Sequence, residues 1–461
     1  MRSPDLSRLA GLALVASLVG CGAPSAASDR LRIEALLPGG NALLADEGSG
    51  AAALLPDGPM TVETAQRIAL AHNPRARAAL AALGIARGQW EAASALPNPE
   101  LSGGYRDGFD GSTLNASFSI PLAPLVERGE RRAIARSEHQ AALAQTAGQL
   151  LDLLLQVRLA ALAVIADDAD QAQVEERQAI AEAEREAAEV IFEAGNIPEY
   201  SRLMHRWNAE RGKVEVVEAQ LTRLHRRNRL ELLMGIPLDR YAWSLVAPAE
   251  PAVESREPPA ALEQAVLAAS VELAERRAGL EAAAHRIGLG ETARWLPGLA
   301  LSVEGERRAG ATEWGPQLSV ELPLFDQGAG LLQSEQAAFD AALQDYRARQ
   351  NEVRAALRES WAELRAADEI LQDYNATLLP LQQQLMEQDV LRYNAMEEGV
   401  FGLLDQRRRL ADEQRQALRA QHRRWQAQAR LSHLLDGGSL TPAESIDGPA
   451  SPASSVQPSA H

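Results

Sequence analysis

The 461-residue chain carries 46 basic and 63 acidic residues, a formal net charge of −17, and its basic residues are arginine apart from Lys213. That balance excludes the basic footprint of a nucleic-acid binder. Hydrophobic residues make up 46% and aromatics only 4%, an alanine-rich mix that suits long helices packed side by side better than a thick globular core.

Residues 1–20 hold Arg2, Arg8 and the apolar run "LAGLALVASLVG", which reads as a signal peptide because a spanning helix needs about 20 apolar residues. The run ends in Leu18-Val19-Gly20-Cys21, and Cys21 is the only cysteine of the chain. This end resembles a bacterial lipobox, which makes Cys21 the expected lipidation site and mature N-terminus. Gly22 follows where an aspartate would resemble an inner-membrane retention signal, so the outer membrane is the expected address. Beyond residue 20 no apolar run reads as a membrane helix, and a mature chain that enters a bilayer must then do so as a closed β-barrel. Residues 21–60, rich in Ala, Gly, Leu and Pro, read as a lipid-anchored linker.

Two copies of one pattern follow. "LPNPELS" from Leu96 parallels "LPGLALS" from Leu296, "SFSIPL" from Ser117 parallels "SVELPL" from Ser319, and "FEAGNIPEYS" from Phe192 parallels "MEEGVFGLLD" from Met396. Repeat 1 spans 61–236 and repeat 2 spans 260–437, with an inter-repeat segment at 237–259 and a disordered tail at 438–461. Strands are expected near 99–122 and near 298–323. In "STLNASFSIPL", Leu114, Ala116, Phe118 and Ile120 alternate with Thr113, Asn115, Ser117 and Ser119, a period of two, and "WGPQLSVELPL" repeats the pattern. Pro121 and Pro323 are expected to end the return strands. Strands of about ten residues have the length of tilted membrane strands, yet four cannot close a barrel. If the strands enter a membrane the chain must then oligomerise, to eight strands as a dimer or twelve as a trimer; two soluble hairpins packed on a helix need the same alternation.

Long helices are expected at 126–193 and 330–397, the second broken only by Pro380. Each makes a rod of roughly 100 Å at 1.5 Å per residue. In the second, Phe339, Leu343, Tyr346, Val353, Leu357, Leu364, Leu371, Tyr374, Leu378 and Leu385 recur with a mean step near 3.5, a coiled-coil seam. Return helices are expected at 199–234 and 403–435, after tip turns at Gly195 and Gly399.

A lipobox, two tandem units, a strand hairpin in each, the "LAHNP" after an amphipathic helix, the "PL" closing each second strand and the glycine at each rod tip together resemble the TolC-type outer-membrane factor family. The likeness covers about residues 60 to 437. It implies a mainly α fold with a small β part, in which a homotrimer forms an α-barrel tunnel and a shared 12-stranded transmembrane β-barrel. It further implies a passive exit duct of a tripartite efflux pump, working with a periplasmic adaptor protein and an inner-membrane transporter. In such proteins the rod tips dock the adaptor, which assigns that role to the turns at Gly195 and Gly399. An acidic ring past the second tip matches Asp405, while the position three residues on, acidic in some members, is Arg408 here. The alternative to the ring is a solvated charge opposite Arg407, Arg408 or Arg409.

No catalytic motif, P-loop or cofactor pattern occurs, and the eight histidines form no i, i+4 pair and no cluster with cysteine, so no metal site and no enzymatic activity are expected. Two alternatives share the lipoprotein signal: a periplasmic adaptor, which would show one helical hairpin flanked by lipoyl-type β segments, and a structural coiled-coil envelope lipoprotein.

Overall fold

The computed structural model describes residues 24–38, 59–108, 111–236, 243–248, 260–295, 298–308 and 311–440. Cys21, most of the inter-repeat segment and the tail from 441 lie outside the described residues. The elements in chain order are α1 (Ala26–Leu36), α2 (Val62–His72), α3 (Pro74–Ser94), β1 (Glu100–Gly108), β2 (Gly111–Pro121), α4 (Ala123–Glu193) and α5 (Glu199–Met234). They continue with α6 (Ala260–Ala269), α7 (Val271–Trp295), β3 (Ala300–Arg308), β4 (Ala311–Ser319), α8 (Ala329–Asp373), a π-helical turn (Tyr374–Leu378), α9 (Leu379–Asn394) and α10 (Val400–Leu435). The chain is mostly helical with few strands, and it divides into two units.

The first unit comprises the chain to Leu37, Ala78–Ala147 and Val271–Arg349. Its four strands form one antiparallel sheet in the order β1-β2-β3-β4. Because side chains alternate across a pleat, the register sorts them into two faces. Leu101, Phe118 and Val303 stand in one cross-strand row, and Leu318, Leu301 and Ile120 in another, all on the apolar face. Ser102, Ser117 and Glu304 form a row on the other face. Gly305 opposes Trp314, and a Cβ there would sit 2.5 Å from the indole, so only glycine lets the ring lie across the strand. β4 ends at Ser319, earlier than the expected end at Pro323, because β3 begins at Ala300 and offers nothing further to pair with. Pro316 lies in β4, an edge strand within the chain, opposite Val303 of β3.

The helices of this unit form a row in which each touches the next. Arg128 of α4 donates to the Ser94 carbonyl at the end of α3, His285 of α7 meets Glu130 of α4 at 2.8 Å, and Arg276 of α7 bonds Asp345 of α8. Residues 26–36, expected as part of a featureless tether, are helical. Ser25 caps α1 by accepting from the Ser28 amide, and buried Asp29 takes two bonds from Arg87 of α3, at 3.1 and 2.8 Å. His139 of α4 lies 3.3 Å from the same carboxylate.

The second unit contains 38–77, Gly148–Ser270 and Gln350–His461. Here α5 packs on α4 through Arg223–Asp168, α4 on α10 through Asp170–Arg415, and α10 on α8 through Arg424–Asp368. Leu162, Trp425 and Ala429 fill the α4–α10 contact. The "LAHNP" motif has a local cause. Asn73 ends α2, its side-chain amide donates to the Leu233 carbonyl at 2.6 Å, and its Oδ1 accepts from the Arg75 amide as Pro74 starts α3. Gly235 closes α5 at φ +73° directly against Asn73, where a Cβ would meet backbone at 2.7 Å.

Three further expectations change. The second rod runs as α8, a π turn and α9, because Pro380 has no N–H to donate and its ring crowds the preceding turn; Leu379 donates to Tyr374, five residues back. Its seam also splits, with Val353, Leu357 and Leu364 buried within the chain while Leu378 and Leu385 are exposed. Finally, α4 contains an 18-residue window apolar enough to cross a membrane, half of it buried in the chain's own packing, although the sequence reading found none. Its Leu150, Leu151, Val157, Leu162 and Val164 are interior, which accounts for the hydropathy.

Candidate functional site

Two features carry functional geometry: the faces of the sheet in the first unit and the helix-end turns in the second. On the apolar face Leu101 is 78% exposed, Tyr105 68%, Trp314 68% and Leu318 62%. Among the described residues, these large apolar side chains alternate along the strands and leave most of their surface uncovered. The opposite face holds Glu100, Glu304, Glu306 and Glu313 against Arg106 and Arg308, with Ser102 and Ser117 hydroxyls 2.8 Å apart. A concavity of about 610 Å³ opens along it, lined in part by Asn115, Glu306, Glu313 and Gln317.

The turn between α4 and α5 places Gly195 at φ +76°, with Asn196 donating to the Ile191 carbonyl at 3.0 Å. This is the double closure by which glycine ends a helix. The turn between α9 and α10 uses the same closure, Glu397 donating to Arg392 at 2.9 Å, but its left-handed residue is Met396 at φ +62°. Gly399 instead caps α10 in extended backbone at φ −87°. The two glycines aligned by sequence therefore occupy different ends of their turns.

Asp405, on the second turn of α10, is held by Arg408 and by Arg409 at 2.8 Å. Arg408 also reaches Glu184 of α4 at 3.7 Å, and Glu184, nearly sealed from solvent, lies 3.4 Å from His205 of α5. The His205 ring stacks on Phe401 of α10, centroids 4.5 Å apart. Sequence reading did not anticipate this joint between three helices, whose members are far apart in the chain. Higher in the same unit, burial raises the Asp167 carboxyl above its usual range despite Arg226 nearby, and burial with Arg226 lowers His422 to about 4. Among the described residues no group of three or more His, Cys, Asp or Glu is placed to hold a metal ion.

The described residues thus join an open antiparallel sheet with an exposed apolar face to helices of up to 71 residues. The model of the outer membrane efflux protein family matches residues 262–437. The chain is 25% identical over 385 residues to the cobalt-zinc-cadmium resistance protein CzcC of Cupriavidus metallidurans, covering 82% of this chain and 90% of that one. The fold is that of CusC, with TM-score 0.68, 18% identity and coverage of 82% and 92% of the two chains. It also matches the CmeC outer membrane channel of Campylobacter jejuni, with TM-score 0.69, 14% identity and coverage of 83% and 88%.

Proposed function

We propose that the chain is the passive outer-membrane exit duct of a tripartite efflux pump, working as a homotrimer with a periplasmic adaptor and an inner-membrane transporter that selects the cargo. The observation that carries this reading is the sheet, whose strands of nine to eleven residues turn an apolar face outward and a charged face to the other side. Four strands form no closed barrel, and β1 and β4 are both open edges. Each unit's helical row also ends in exposed apolar side chains: Ile85 of α3 and Leu331 of α8 in the first, Trp207, Val217 and Leu221 of α5 and Leu381 and Leu385 of α9 in the second. Two different open ends on one chain call for head-to-tail contacts, which give a ring where the rotation between copies closes. Three copies give the twelve strands that the family resemblance implies.

In this reading the turns at Gly195 and Gly399 dock the adaptor. Asp405 faces the tunnel entrance, its field offset by Arg408 and Arg409 on its own helix. Cys21 carries the lipid into the inner leaflet of the outer membrane, beside a barrel that already holds the protein there. The name of the relative CzcC supports divalent metal ions as cargo. Two hairpins and two strand pairs argue against an adaptor, and the outward apolar strand face argues against a coiled coil that only spaces the envelope.

Conductance across a planar bilayer, with mass measured in detergent, tests the proposal. Stepwise channels from a trimer are expected; a monomer without pores would overturn it.

A further inference from the structure

We infer the register of the seam at which β4 of one copy pairs with β1 of the next, an inference that rests on the trimeric reading above. The chain contains its own template in the β2–β3 contact, where the second strand of one hairpin meets the first strand of the other. There Ser119 opposes Ser302, Ile120 opposes Leu301 and Pro121 opposes Ala300. Leu122 extends the pairing by donating to the Leu299 carbonyl at 2.8 Å.

The equivalent stretch of repeat 2 has no such partner. "SVELPL" repeats "SFSIPL", yet β4 stops at Ser319. Beyond it Val320, Leu322 and Leu324 keep the alternation of the apolar face and are 42%, 69% and 71% exposed. Leu324, the counterpart of Leu122, donates to Leu322 in a tight turn at 2.8 Å. A strand that retains its pattern but loses its ladder where the chain runs out of neighbours is one whose partner is another molecule.

Carrying the template across the repeat fixes the partner residues. Ser117 to Ser319 is a step of 202 and Leu96 to Leu296 a step of 200. Glu321 of one copy then opposes Ser102 of the next, and Leu322 opposes Leu101. Gln317 falls opposite Arg106 on the polar face, and apolar side chains meet apolar ones on the other. The hairpin pairs themselves differ by 200 in both strands, Glu100 with Ser119 against Ala300 with Ser319. Using that step throughout would set Glu321 directly opposite Glu100, a like-charge pair that destabilises a ladder. Charge therefore selects the first register.

Double cysteine variants of the full chain, oxidised in membranes and separated without reductant, test this. Glu321 and Ser102 are equivalent to Ser119 and Ser302, a pair of the closer, non-hydrogen-bonded kind, as Leu122 and Leu299 carry the hydrogen bond. Glu321→Cys with Ser102→Cys is expected to lose most of its monomer band to reductant-sensitive dimers and trimers. The single variants, which retain Cys21, and the pairs Glu321→Cys with Glu100→Cys or with Gly104→Cys are expected to stay monomeric on the gel. Stronger linkage in either shifted pair overturns the register and leaves the trimer standing. No linkage in any pair of a protein of trimeric mass overturns the seam itself, and a monomeric mass in detergent sinks the underlying reading.

Discussion

His422 lies in α10 with its Nε2 buried and without a hydrogen bond, and Arg226 stands near it. Its pKa of about 4 lies below the ordinary 6.5, so between those values the unfolded chain binds a proton that the folded one refuses. Stability therefore rises with pH through that window and falls on acidification, by about 3 kcal/mol per chain once pH is below 4. Asp167, raised by burial, acts with the opposite sign, so the comparison needs a variant. His422→Gln is expected to flatten the decline of the helical melting temperature, followed by circular dichroism, between pH 6.5 and 4; an unchanged slope would show that His422 is not its source. Met396 makes a second prediction. A side chain at φ +62° costs about 1 kcal/mol relative to glycine, and Met396 is 93% exposed, so nothing is lost by removing it. Met396→Gly should slow amide exchange in the last turn of α9, and faster exchange there would contradict the strain. These details were beyond the sequence. Methionine has no left-handed signature, and the surroundings of His422 include Arg226 of α5, reached only through the fold.

At the scale of elements, periodicity was the legible part. Strand alternation survives in single residues such as Phe118 and Leu114, because the pleat forces side chains to opposite faces whatever surrounds them. Pro380 marked the place of a break but not its form, since widening to a π turn is one of several ways to absorb a missing donor. α1 was read as tether, for its Ala- and Ser-rich segment has little amphipathic pattern and is fixed by Asp29 meeting Arg87, 58 residues away. The exposed stripe Leu203, Trp207, Val214, Val217, Leu221 and Leu224 on α5 steps by three, four or seven, the pattern of a coiled-coil seam lacking its partner. Leu221→Glu, which disturbs nothing inside the chain, should shift the detergent-solubilised protein from trimer toward monomer in analytical ultracentrifugation. A stable trimer would show that α5 does not form the contact between copies.

For the whole molecule, in the proposed trimer, the sign of the lumen is set where the walls are fixed. The polar sheet face brings four carboxylates per chain, Glu100, Glu304, Glu306 and Glu313, against two guanidinium groups, Arg106 and Arg308. At the tip, Asp405 is matched by Arg408 and Arg409, so its carboxylate contributes little net field. A ring of uncompensated carboxylates favours cations through a pore, whereas a paired acid does not. The strand face, rather than the position picked out by sequence, is then the expected origin of ion preference. Replacing Glu304, Glu306 and Glu313 together by Gln should move the reversal potential in a salt gradient toward that of an unselective pore. Asp405→Asn should move it little, while Arg409→Gln, which leaves Asp405 with one partner, should make the pore more cation-selective. If Asp405→Asn alone abolished the preference, the tip and not the barrel would be the selecting element, and the arginines beside it would have to be turned away from the carboxylate in the assembled channel.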